Sequence, residues 1–149
     1  MFRSFGDISH ANDYFSRLQF KCMKLRIRGN SIRLRLTKSE VEHLGETGKV
    51  DDAVAFDAAS PAFRYELRTA AIDDRARAKF DANCLSISIP ASEAKNWITS
   101  EQVSIEEMQP IDGNRFLRIL VEKDFACLTE RTGEDDGDAF PNPLVEAKC

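Results

Sequence analysis

Long apolar runs are missing from this chain, and histidine is scarce. No uninterrupted hydrophobic stretch approaches the length that crosses a bilayer as a helix, so no membrane association is expected. The opening stretch MFRSFGDISHANDYFSRLQFKC has no unbroken apolar core and no small-residue cleavage site. That speaks against a secretory signal and for a cytoplasmic protein. The two histidines, His10 and His43, stand far apart in sequence, which argues against a His-rich metal site. Cys22, Cys84, Cys127 and Cys149 show no C-x-x-C spacing, and in a reducing compartment they read as free thiols. There is no P-loop, no G-x-G-x-x-G, no nucleophile elbow and no HExxH. The absence of these signatures points away from an enzyme, and no cofactor is expected.

What is present is an uneven charge distribution. The chain of 149 residues has a formal net charge of −4. Yet KLRIRGNSIRLRLT, residues 24–37, holds Lys24, Arg26, Arg28, Arg33 and Arg35 with no carboxylate. Leu25, Ile27, Ile32, Leu34 and Leu36 alternate with these polar positions, the period-two pattern of half-buried strands. Gly29-Asn30 at the break supplies the positive φ angles of a two-residue hairpin turn. That turn sets Ile27 opposite Ile32, Arg26 opposite Arg33, and Lys24 opposite Arg35. All the basic side chains then emerge on one face.

TKSEVEHLG follows as a short helix, with Thr37 and Glu40 forming a capping box and Gly45 closing its end. KVDDAVAF (49–56) and FRYELR (63–68) read as strands. The pattern then restarts: RARAKF (75–80) and CLSISI (84–89) flank a turn at 81–83, and ASEAKNWI (91–98) is a second short helix. VSIEEMQ (103–109) and FLRILVEK (116–123) are joined through Asp112-Gly113. At an offset of 53, Asn30 aligns with Asn83, and Ile32, Leu34 and Leu36 align with Leu85, Ile87 and Ile89. Ser39-Glu40-Val41 likewise aligns with Ser92-Glu93-Ala94, and Leu44 with Trp97, which is read as a core residue. We expect an internal ββαββ repeat covering about 24–69 and 75–123. The fold class is α+β and mainly antiparallel: a pseudo-twofold barrel or sandwich of about eight strands and two short helices. The domain spans 23–126, preceded by an extension over 1–22 with a short helix around 12–20, or only loosely attached; Met23 is an alternative start. An acidic tail over 127–149 follows, with Phe140 and Leu144 as tethers.

The string RGNSIRLRLTKSEVEHL resembles the start of the MazE/AbrB-type antitoxins and transition-state regulators. Their pattern is basic-x-G-N-S-x-x-(V/L)-R-(I/L)-P, then a short helix and a strand. Gly29, Asn30, Ser31, Leu34, Arg35 and Leu36 match, with Thr37 in the place of proline. LSISIPASEAKNWITSEQVSIEE resembles the same unit, with Pro90 in the proline position and Ser88 in place of the arginine. The resemblance implies a swapped-hairpin barrel, here a tandem copy in one chain, so that a monomer is a pseudo-dimer; a homodimer is the other option. It also implicates Arg35 and Arg26, with Asn30 at the turn, in DNA contact. Residues 23–149 as a whole resemble a small uncharacterised bacterial family, which implies no activity.

These observations make Lys24, Arg26, Arg28, Asn30, Arg33 and Arg35 the candidate site for an anion or DNA. Like charges opposed in a ladder destabilise it unless something answers them. Three answers are open: carboxylates of neighbouring strands (Glu66 and Glu122 alternate suitably), the acidic segment ERTGEDDGD of the tail, or an external anionic partner. The leading reading is a non-catalytic binding or regulatory module whose basic hairpin engages a nucleic acid or an acidic protein segment. One alternative is an enzyme clamping a phosphorylated or carboxylated small molecule with Arg33, Arg35 or Arg64. The other is an antitoxin-like interaction module whose tail wraps a partner. The tail lacks the ligand alternation of a calcium loop and reads as a solvated acidic loop. Cys127 and Cys149 read as incidental thiols, and His43 as a residue near a helix end.

Overall fold

A computed structural model of the chain describes residues 23–71, 74–126 and 137–143. The expected helix around 12–20, Leu144, Cys127, Cys149 and most of the acidic run lie outside the described residues. Eight strands and two helices follow one another: β1 (Lys24–Ile27), β2 (Ser31–Leu36), α1 (Lys38–Thr47), β3 (Lys49–Val54), β4 (Phe63–Ala70), β5 (Arg77–Asp81), β6 (Cys84–Pro90), α2 (Ala91–Thr99), β7 (Ser104–Asp112) and β8 (Arg115–Lys123). No helix among the described residues is long and apolar enough to cross a membrane.

The fold is α+β, with two four-stranded sheets ordered β1-β2-β8-β7 and β3-β4-β6-β5. Both are mainly antiparallel, yet the central pair of each, β2 with β8 and β4 with β6, is parallel. The first hairpin has the register its alternation predicts, with Lys24 opposite Arg35, Arg26 opposite Arg33 and Ile27 opposite Ile32. Period-two patterning works here because one face is buried: Ile32, Leu34 and Leu36 enter the core while Arg33 and Arg35 face outward.

One hydrophobic cluster serves both sheets. Leu34, Leu36, Leu67, Ile87, Ile89 and Val121 are fully buried in it, and Val41 and Leu44 of α1 and Ala94 and Trp97 of α2 pack on it. Trp97 is the core residue expected of it, and its indole N–H donates to the Val103 carbonyl at 3.1 Å. Such a tryptophan needs a partner for its N–H when it leaves water.

Of the two closures expected, the barrel is not formed. No backbone ladder joins the sheets among the described residues. Where the β5 and β7 edges approach, a side chain spans the gap: the Ala78 N–H donates to Gln109 Oε1 at 2.7 Å, and Gln109 Nε2 donates to the Ala78 carbonyl at 3.0 Å. An amide side chain offers the same donor and acceptor pair as a peptide, so it satisfies edge groups that a closing strand would otherwise take.

Three local expectations also need correction. Helix α1 does not stop at Gly45; it runs to Thr47 and closes on Gly48, whose φ of 77° is left-handed. In the first turn only Gly29 takes positive φ, whereas in the second both Ala82 and Asn83 do. The last hairpin turns one residue later than Asp112-Gly113, since Asp112 is still paired with Arg115.

The end of the described chain returns to the body. Phe140 pairs with Phe125, its N–H donating to the Asp124 carbonyl at 2.8 Å, and the Lys38 N–H donates to the Asp138 carbonyl at 3.1 Å. Phe140 is thus the tether expected of it. Asp138 accepts from the Ser39 N–H at 3.3 Å and from the Ser39 hydroxyl, a placement the helix N-terminus favours. Beside it, Glu40 accepts from the Thr37 N–H at 2.9 Å and the Thr37 hydroxyl at 3.1 Å, which completes the predicted capping pair. Burial pushes the Glu40 carboxyl up to about 7, against the Thr37 hydrogen bonds, and the Asp138 and Asp52 carboxylates add to the rise.

A carboxyl that holds its proton more tightly folded than unfolded loses stability as pH climbs from its ordinary value near 4.5 to about 7. The loss amounts to about 3 kcal/mol, and stability is flat with respect to this group above that window. Glu40→Gln should flatten the dependence of the unfolding free energy between pH 5 and about 7, measured by urea melts across that range.

Candidate anion-binding site

The candidate residues occupy the outer face of the first sheet. Alternation along β1 and β2 puts Lys24, Arg26, Arg28, Arg33 and Arg35 there. The parallel pairing of β2 with β8 then sets Arg118 beside Ser31, Leu120 beside Arg33, and Glu122 beside Arg35. On the far side of β8, Met108 lies opposite Arg118 and Glu106 opposite Leu120. Phe116, two positions before Arg118, shares this face; it and Met108 are each about half exposed.

The like charges are answered unequally. Glu122 serves two arginines: Arg33 Nε at 3.2 Å and Arg35 Nε at 3.4 Å. Lys24 is held by Asp124 at 3.0 Å. Arg118 bonds Glu106 at 2.6 Å, and this guanidinium holds the Glu106 carboxyl below its usual range. Arg26 and Arg28 make no ion pair with any described residue. Among the described residues three carboxylates face six cations, and the surplus collects at the hairpin end of the face. There Arg26, Arg28, Ser31, Arg33, Arg118 and Leu120 line a groove of about 130 Å³.

The structure thus divides the six sequence candidates. Arg26, Arg28 and Arg33 come together in the groove. Lys24 and Arg35 lie at the other end of the strands with their carboxylates. Asn30 serves the fold instead: its Nδ2 donates to the Phe116 carbonyl at 2.6 Å, and its carbonyl accepts from the Arg118 N–H at 3.1 Å. It fixes the hairpin tip against β8. Glu122 is a neighbouring carboxylate as expected, but Glu66 belongs to the other sheet, where it receives the Ser86 hydroxyl at 2.8 Å and lies 3.6 Å from Lys49.

Arg118 is invisible to a hairpin-centred reading. Its outward parity is plain in FLRILVEK, but only the β2–β8 seam brings it to the groove. Arg64, the third clamp expected, sits on the second sheet 3.5 Å from Asp51, apart from Arg33 and Arg35. Cys84 lies beside it, and burial, with Glu66 adding, pushes that thiol up, away from the reactive thiolate. Among the described residues no three of His, Cys, Asp and Glu gather to hold a metal ion.

The groove is lined by guanidiniums, one hydroxyl and one leucine, a donor set whose chemistry suits an anion. Because Glu122 is the carboxylate shared by two arginines, Glu122→Gln should lower stability by about 0.5–1 kcal/mol. It should at the same time tighten the binding of polyanions to the face, read by paired thermal melts and anisotropy titrations.

No curated protein and no solved structure matches the chain. A family model matches residues 23–144, and the chain belongs to that family, a family of unknown function (DUF7009).

Proposed function

We propose that this chain is a non-catalytic binding module whose basic sheet face, led by the β1–β2 hairpin, engages an anionic, phosphate-bearing partner. The observation that carries this reading is the pair Arg26 and Arg28, which no described carboxylate neutralises, beside Arg33 and Arg118 around one groove. Leaving like charges opposed across a ladder costs stability. An arrangement that keeps such a cost is one that a ligand offsets.

The chain is read here as a tandem pseudo-dimer of the ββαββ unit, of the MazE/AbrB-like kind. Several pairings support that reading. Each sheet combines the first hairpin of one half with the second hairpin of the other through a parallel seam. Asn83, aligned with Asn30, accepts the Arg64 N–H at 2.9 Å, as Asn30 accepts the Arg118 N–H at 3.1 Å. The two halves differ in charge. On the second sheet's outer face Lys49, Arg64 and Lys79 lie near Glu66, Asp51 and Asp81. Arg68 shares that face, as does Arg77, 3.9 Å from Asp74, so this face is basic too but more nearly neutralised among the described residues.

Other destinations for the basic face are less well supported. The described part of the tail, with Asp138 against Lys38 and Ser39, sits beyond the C-terminal end of β2, whereas the groove lies at its N-terminal end. Residues 137–143 pack on the body, which removes that segment from a partner-wrapping arm.

Binding through a few arginines is weak and salt-dependent. Labelled polyanions, DNA included, should bind at 50 mM salt and be released by 200 mM. The log–log salt slope should be about −2 to −3, and Arg26→Ala/Arg28→Ala should reduce its magnitude by more than about 1. Anisotropy that stays flat for every polyanion at low salt would end the proposal.

A further inference from the structure

Resting on the binding reading above, we infer that the partner is a single-stranded polynucleotide, whose phosphates lie along Arg26, Arg28, Arg33 and Arg118 and one of whose bases stacks on Phe116. The first argument is shape. A β-ribbon that reads duplex DNA must protrude far enough to enter a major groove about 12 Å wide. Here β2 is paired on both sides, by β1 and by β8, and the basic residues spread over a four-stranded sheet. Its strand axes alone span about 14 Å. The hairpin tip is also tied down, because Asn30 bonds the backbone of both Phe116 and Arg118. The basic surface is therefore a platform, with no free ribbon to insert.

The second argument is the company the arginines keep. Phe116 stands on the same strand and face as Arg118, two residues away, with 47% of its surface exposed. Among the described residues it has no aromatic or cationic partner, in contrast to Phe63, Phe80, Phe125 and Phe140. Met108, opposite Arg118, extends this apolar border. A basic track beside an open aromatic ring fits a strand whose bases are unstacked, since a duplex presents only base edges and phosphates. Arg26 and Arg28, which pair with no described carboxylate, add cation–π surfaces for further bases.

The third argument is the internal comparison. The matching outer face of the second sheet also carries cations, Lys49, Arg64, Arg68, Arg77 and Lys79, with Asp51, Glu66 and Asp81 among them, but none of its outward positions is aromatic. Of the two outer faces, only that of the first sheet sets an exposed aromatic ring beside its arginines.

Anisotropy titrations of the full chain at 100 mM salt distinguish the possibilities, using four labelled probes: a 12-nucleotide single strand, its duplex, base-free polyphosphate and a poly-glutamate peptide. The single strand should bind at least about fivefold tighter than the duplex, and Phe116→Ala should cost about fivefold or more on the single strand alone. Phe116→Leu, which keeps the apolar bulk, should lose as much, and Phe116→Tyr should retain binding; thermal melts confirm that each variant folds. Arg26→Ala/Arg28→Ala should weaken the strand and the polyphosphate together. Equal or tighter duplex binding overturns the inference, as does a Phe116→Leu variant that binds like the parent. So does a preference for poly-glutamate over the strand. In the first two cases Arg-dependent polyanion binding leaves the broader reading standing, whereas a preference for poly-glutamate, or failure of all four probes, removes the phosphate-bearing partner as well.

Discussion

Lateral pairing of β2 with β8 governs how this protein carries its charge. The hairpin by itself sets Arg26 against Arg33 and Lys24 against Arg35, an arrangement no isolated ribbon would favour. The parallel seam brings Glu122 alongside Arg35, within reach of two guanidiniums, and continues to Asp124, which reaches Lys24. The same seam delivers Arg118 to the other end. One contact between segments some ninety residues apart thus produces both a neutralised end and a surplus end. The hydrophobic core behind the sheet, with Leu34, Leu36 and Val121 fully buried, holds that contact in place.

The neutralised end is also where the architecture is tightest. Asp138 and Glu40 share the N-terminus of α1, Phe140 pairs with Phe125, and Lys123 lies 5.6 Å from the Phe140 ring and 5.8 Å from that of Trp97. Burial lowers the affinity of Lys123 for its proton, and its ammonium still finds the Ser100 carbonyl at 2.7 Å. Glu40, Lys123 and Asp124 at this end are buried and given specific partners, while Lys24 and Arg35 stay partly exposed beside their carboxylates. At the hairpin end Arg26 and Arg28 are exposed with no described carboxylate. That difference in neutralisation along one sheet separates the part of the face that stabilises the fold from the part proposed for a ligand.

Much of this is legible in the sequence, because the chain's local signals are strong. Alternation decides which residues of 24–36 face inward, the turn sets the register, and Thr37 and Glu40 announce the start of α1. Expectation and structure part where tertiary contacts decide. Gly45 has the chemistry of a helix stop, but Gly48 has the left-handed backbone. The sheet partners of β2 and β4 are beyond reach, since a parallel seam joins segments with no local mark of their affinity. For that reason Glu66 looks as suitable as Glu122 in the sequence, Arg64 groups with Arg33, and Arg118 goes unnoticed. Asn30 enters the candidate site on a resemblance, whereas its amide is engaged by the Phe116 carbonyl.

The central claim is that one end of one sheet face holds the unneutralised guanidiniums and that these receive the ligand. Nε-detected NMR of arginine side chains during titration with a short single-stranded oligonucleotide tests it most directly. The account predicts that the Arg26, Arg28, Arg33 and Arg118 signals move together, while those of Arg64 and Arg77 on the second sheet stay in place. Shifts spread evenly over both sheets, or confined to the second, would contradict it.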